Sequence, residues 1–254
     1  MSHNPLVHIK NLTVKYGQKT ALERVSFQVE AGKTYGIVGK SGCGKSTLAK
    51  AIAGLIQYEG WIAVDGQRIP PISWSNHALW ARKLVQMIFQ DPYSCLNPKM
   101  TICDILSEPF EVHGLIPNKV ERMAAIQQLL ENVGLPQDIL YRYPKTFSGG
   151  QRQRIAIARA LAVIPRLLIL DESLSALDGH LQQQLLALLR ELQNKYGITF
   201  LFITHHLKMA ESFCNRIGVM YQGRLVEEYA PQEVYTHEHT KELHDAHAFL
   251  ESVC

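Results

Sequence analysis

Residues 39–47 read Gly39-Lys40-Ser41-Gly42-Cys43-Gly44-Lys45-Ser46-Thr47, directly after the apolar run Thr34-Tyr35-Gly36-Ile37-Val38. A strand that ends in a glycine-rich turn and continues into a helix points several backbone N–H groups inward, and the helix N-terminus adds partial positive charge. Together they suit a triphosphate. Gly39, Gly42 and Gly44 let the backbone approach such a ligand, and Lys40, Ser41, Cys43 and Thr47 complete the loop. Lys45 is placed to reach the β- and γ-phosphates, and the Ser46 hydroxyl to meet Mg2+. Chance alone would bring the constrained positions together in roughly one of 100 chains of this length. The predicted helix, Lys45 to Leu55, makes coincidence rarer still.

Outward from this loop, strands and helices alternate. Residues 166–172 (RLLILDE) form a continuous apolar run ending in Asp171 and Glu172, as a buried parallel strand does, and 199–204 (TFLFIT) is a second such run. Open α/β sheets bind ligands at the carboxyl ends of their strands. There Asp171 is placed to hold the Mg2+ water shell, and Glu172 to orient or deprotonate an attacking water. Residues 6–14 and 25–29 alternate apolar and polar, with a turn at Tyr16-Gly17, and predict an antiparallel edge sheet. Strands are also expected at 61–64 and 84–89, helices at 118–133, 149–163 and 180–196, and a tight hairpin at Tyr221-Gln222-Gly223-Arg224. Between about 93 and 158 the alternation breaks. That stretch reads as helical, punctuated by Pro92, Pro98, Pro109, Pro117, Pro136 and Pro144, and is expected to be a helical subdomain inserted into the sheet domain.

The chain has 254 residues, 46% hydrophobic, enough for a sizeable core. Its net charge of +3 is too mild to argue for nucleic acid. Five cysteines without CxxC spacing read as reduced thiols of a cytosolic protein. No basic-then-apolar leader follows Met1, and no apolar run reaches the length of about 18 residues that spans a bilayer.

Residues 147–161 (FSGGQRQRIAIARAL) place Ser148, Gly149, Gly150 and Gln151 at a helix N-terminus just upstream of the two-acid strand, a second anion site. This combination resembles the ATP-binding subunit of an ABC transporter, whose signature motif runs S-G-G-Q, and the resemblance covers nearly the whole chain. It implies an α/β P-loop NTPase core with an antiparallel edge sheet, spanning 1–232 with the inserted helical subdomain, and a short polar tail at 233–254. It also implies that Tyr16 stacks on adenine and that Gln90 senses Mg2+ and the attacking water. Ser175-Ala176-Leu177-Asp178 matches the loop that crosses the dimer interface, and His205 the histidine that contacts the γ-phosphate. In the family, Ser148 to Gly150 of one chain close over ATP held by residues 39–47 of another. A chain with one copy of each must therefore pair, with itself or a paralogue.

FQDPYSCLNPKMTI at 89–102 resembles the segment found in importers of oligopeptides, dipeptides and nickel, and Cys43 supports the same branch. The resemblance implies ATP hydrolysis at the cytoplasmic face of the inner membrane, energising uptake through two permease subunits, with a solute-binding protein acting indirectly. Peptide is favoured over nickel or a metal chelate. A soluble ABC ATPase acting on ribosomes or DNA is the alternative of a different class. Three departures from the pattern stand out: Ser173 stands where proline is usual, His206 where an acid follows the histidine, and the tail is short. The histidines of that tail, His237, His239, His244 and His247, are read as part of a solvated polar helix in preference to a metal site.

Overall fold

Two periodicities build two sheets. In β1 (Val7–Tyr16) and β2 (Lys19–Val29) buried residues recur near every second position, as in strands with one face on a core. The computed structural model describes residues 5–72, 79–89, 96–175 and 177–252, and of 246–252 the backbone alone. β1 pairs antiparallel with β2 from Val7–Val29 to Tyr16–Lys19, and on its other edge with β4 (Glu59–Val64), which carries the short β5 (Gln67–Arg68). This is the antiparallel sheet expected from residues 6–29.

The second sheet is built from β3 (Thr34–Val38), β6 (Val85–Ile88), β7 (Leu167–Asp171), β8 (Thr199–Thr204), β9 (Arg216–Tyr221) and β10 (Arg224–Tyr229), in the order β10-β9-β3-β8-β7-β6. Every pairing is parallel except that of β9 with β10, the predicted hairpin. β3, β7 and β8 are buried along their whole length because both faces are covered, which explains their mostly apolar sequences, with polar residues only at strand ends. Successive residues serve opposite cores. Phe200, Phe202, Leu168 and Leu170 face one, with helices α3 (Ile102–Val112), α4 (Lys119–Asn132), α5 (Gly149–Leu161), α6 (Gly179–Tyr196) and α7 (Leu207–Phe213). Leu201, Ile203, Leu167 and Ile169 face the other, with α1 (Lys45–Ile52) and the antiparallel sheet.

Helices α3 to α5 occupy the chain between β6 and β7, and their apolar faces join the core beneath β7 and β8. Pro109, expected to interrupt the chain, instead lies inside α3. Thr101 and Asp104 form a capping box at that helix's start, and Ile102, Ile105, Leu106 and Phe110 anchor one face, so the proline's missing N–H falls in an already fastened helix. Two short helices carry no clear periodicity in the sequence: α2 (Leu79–Leu84), which runs straight into β6, and α7. A final helix, α8 (Glu238–Ser252), is more than a solvated tail. Thr240 is fully buried, and His244 stacks on Tyr235 with centroids 3.9 Å apart.

Candidate nucleotide site

β3 delivers Gly39 to Gly44 at its carboxyl end, and α1 leaves from the same point. Gly44 is the N-cap of α1, with φ 108° and no side-chain cap, so the first-turn N–H groups of this helix have no capping side chain. A Cβ at Gly44 would meet the Ala21 carbonyl oxygen at 2.8 Å and Leu22 at 2.9 Å, whereas at Gly42 it would meet nothing within 4 Å. The loop is tied to distant strands. Glu23 N–H donates to the Gly223 carbonyl at 2.8 Å, and Gly223 N–H to the Cys43 carbonyl at 3.0 Å.

Lys45 is only 4% exposed. Its ammonium donates to the carbonyls of Gly39 (2.8 Å) and Lys40 (3.2 Å) and lies 3.5 Å from a Glu172 carboxylate oxygen. The Ser46 hydroxyl donates to Asp171 Oδ1 at 3.1 Å. Burial pushes the Asp171 carboxyl above its ordinary range, partly offset by that hydroxyl. Glu172 begins the loop after β7 with φ 46°, its N–H still bonded to the Ile203 carbonyl at 2.9 Å. That left-handed turn carries its carboxylate to Lys45 on one side and to within 3.6 Å of His205 Nδ1 on the other. His206 lies against His205, ring centroids 4.2 Å apart. Ser173, the residue in place of proline, is buried and leaves Ser175 to hydrogen-bond the Glu172 carbonyl at 2.7 Å.

A cavity of about 560 Å3 opens in front of these groups, lined among others by Gly42, Lys45, Ser46, Thr47 and Glu172, with Tyr16 half exposed at its edge. Ser41 and Gly44 line it too, so most of the predicted loop and the adenine-stacking candidate do meet in one place. Gly39, Lys40, Cys43, Asp171 and His205 do not line it. Cys43 turns its thiol into the core, where burial pushes it up against the pull of the Lys45 ammonium, and Lys40 points outward to Glu242. Gln90 lies outside the described residues. Ser148 and Gln151 are elsewhere, locked in a reciprocal capping box at the start of α5, with Gly149 and Gly150 against Leu177 and Leu181. Asp178 caps α6 through the Leu181 N–H at 3.0 Å. Sequence reading missed Lys19, Thr20 and Gln222, which also line the cavity. Strand pairing brings them there, and no local pattern marks them. Among the described residues no group of three His, Cys, Asp or Glu side chains could hold a metal ion, which leaves the described tail histidines without such a cluster. No described helix is long and apolar enough to cross a membrane.

The profile of the family described as "ABC transporter" matches residues 22–175. The chain is 45% identical over 246 residues to the oligopeptide transport ATP-binding protein OppF of Bacillus subtilis (strain 168), a match covering 94% of this chain and 81% of that one. It is 43% identical over 236 residues to the glutathione import ATP-binding protein GsiA of Escherichia coli (strain K12), covering 88% of this chain and 37% of that longer protein. Among solved structures, cbiO1 of Clostridium perfringens, part of the ABC transporter complex cbiONQ, superposes with a TM-score of 0.80 at 25% identity, over 98% of this chain and 99% of that one. The ATP-binding cassette MJ0796, in a dimeric post-hydrolysis state bound to ADP and Pi, superposes with a TM-score of 0.79 at 28% identity, over 90% of this chain and 100% of that one.

Proposed function

The chain belongs to the ABC transporter family, and from this premise we propose that it is the ATP-hydrolysing subunit of a peptide importer, working through separate membrane permeases. The observation that carries the ATPase reading is the meeting of Lys45, Ser46 and Glu172 at one wall of the cavity, with Asp171 joined to them behind that wall through the Ser46 hydroxyl. The OppF and GsiA relatives, named for oligopeptide transport and glutathione import, favour peptide as the solute.

ATP would enter with its phosphates over the loop and its adenine toward Tyr16. Lys45 then exchanges the Gly39 and Lys40 carbonyls for phosphate oxygens, gaining charge-assisted bonds in place of neutral ones. Glu172 would orient and deprotonate the attacking water, and His205, 3.6 Å from the same carboxylate, would contact the γ-phosphate. The neighbouring hydroxyl and carboxylate of Ser46 and Asp171 are hard oxygen donors that fit Mg2+, which when bound neutralises charge on the phosphates. Gln90 is assigned its sensing role on resemblance alone. Ser148, Gly149, Gly150 and Asp178 stand away from this chain's own cavity, which supports a pair of chains, identical or paralogous, in which each signature helix faces its partner's nucleotide. This reading puts the protein peripherally on the cytoplasmic face of the membrane, helices α3 to α5 against the permeases and a solute-binding protein acting through them.

Affinity capture of the tagged protein from detergent-solubilised membranes, with co-purifying chains identified by mass spectrometry, tests the reading. Two multi-span permeases and a second ATPase are expected. Recovery of ribosomal or DNA-associated proteins alone overturns it.

A further inference from the structure

The phosphate loop is held from outside by the last helix of the chain. Lys40, its second residue, places its ammonium 3.0 Å from Glu242 Oε2 in α8, across 202 positions of sequence. Several contacts place Glu242 there. The Glu227 carboxylate of β10 accepts the N–H groups of Thr236 (2.6 Å) and His237 (3.2 Å) ahead of α8. His244 packs on Tyr235 and lies 3.4 Å from Glu211. His239 stacks on Tyr221 at the end of β9, ring centroids 3.5 Å apart, and faces Glu242 Oε2 with its Nδ1 at 3.4 Å. Lys40 and His239 together hold the Glu242 carboxyl below its usual range.

We propose that Glu242 is a positioning residue that latches the phosphate loop through Lys40 and lowers its affinity for nucleotide. The proposal rests on the reading of residues 39–47 as the nucleotide site. Two effects act in the same direction. The latch holds the stretch whose Gly39 and Lys40 carbonyls take the Lys45 ammonium, an arrangement Lys45 must leave when phosphate arrives. It also sets a carboxylate against a loop cation that would otherwise attract the triphosphate. α8 thus acts on the loop without touching the ligand.

Titration of the purified full chain with a fluorescent ATP analogue tests this, comparing wild type, Glu242→Gln, Lys40→Gln and the double variant. Glu242→Gln is expected to lower Kd about threefold at low ionic strength, a size typical of an exposed ion pair, and the gain should shrink in salt. In the Lys40→Gln background the same change should do nothing further. An unchanged Kd overturns the latch. So does an equal gain in the Lys40→Gln background, which marks a diffuse field instead of the contact. If wild type takes up no nucleotide, the nucleotide-site reading falls, and the latch is judged by amide hydrogen exchange of the nucleotide-free protein. Exchange over 40–46 is then expected to quicken about twofold in Glu242→Gln, and unchanged exchange overturns the latch.

Discussion

Alanine at Gly44 and alanine at Gly42 should fail in different ways, though the two glycines are two residues apart in one loop. Both backbones are left-handed, with φ +108° and +79°. The strain of placing a Cβ there costs about 1–2 kcal/mol at Gly42. At Gly44 the new methyl would also sit 2.8 Å from the Ala21 carbonyl oxygen, a backbone atom fixed in β2, and 2.9 Å from Leu22. Overlap with that carbonyl, which cannot yield, brings the total to about 4 kcal/mol. For a domain of this size each kcal/mol lowers Tm by about 2–4 °C. Calorimetry of the nucleotide-free proteins should therefore show a loss of about 4 °C for Gly42→Ala and about 12 °C for Gly44→Ala. Gly42 lines the cavity and a Cβ there meets no protein atom within 4 Å, so that variant should lose nucleotide binding while keeping most of its stability. Equal melting temperatures, or undiminished binding by Gly42→Ala, would refute the account of the loop.

Glu172→Gln should cut steady-state hydrolysis by about 100-fold or more, the share of a positioned base, while Mg-ATP still supports a closed pair in size-exclusion chromatography. Loss of pairing together with hydrolysis would point to a structural role. Tyr16→Ala should weaken ATP binding roughly tenfold, as removal of one stacked base contact does, and leave Tm nearly unchanged because the ring is half exposed. The Thr101 hydroxyl and N–H hold the Asp104 carboxyl below its ordinary range, so this cap stabilises α3 above the unfolded carboxylate pKa and is lost as pH falls through the lower folded value. Thr101→Ala should cost about 1 kcal/mol at neutral pH, narrow the stability difference between neutral and acid solution, and raise the Asp104 pKa in an NMR titration.

What the sequence made legible follows from where each signal resides. β7 and β8 announced themselves because strands covered on both faces need no polar residue, and α6 because its buried leucines repeat at helical spacing. Lys45, Ser46 and Glu172, which meet at the cavity, stood out for a different reason: glycine, lysine, serine and paired acids at fixed spacing have few other uses. Tertiary context carried the rest. α2 and α7 are too short for a period to show, and Pro109 was misread as a break because the forces that keep α3 intact, a capping box and a buried face, lie elsewhere in the helix. Lys19, Thr20 and Gln222 reach the cavity through strand pairing, and Lys40 meets Glu242 across nearly the whole chain. No window of sequence contains those encounters.

The fastening of the loop to β2 and to the β9–β10 turn bears on protein engineering. Glu23, Gly223 and Cys43 form a chain of main-chain bonds linking three distant segments. A nonapeptide spliced from here into a foreign strand–helix junction would carry every recommended side chain and none of this bracing. Such a transplant is expected to bind nucleotide poorly until the host also provides a neighbouring hairpin whose tip donates an N–H to the graft. The portable unit is the loop together with the turn that props it.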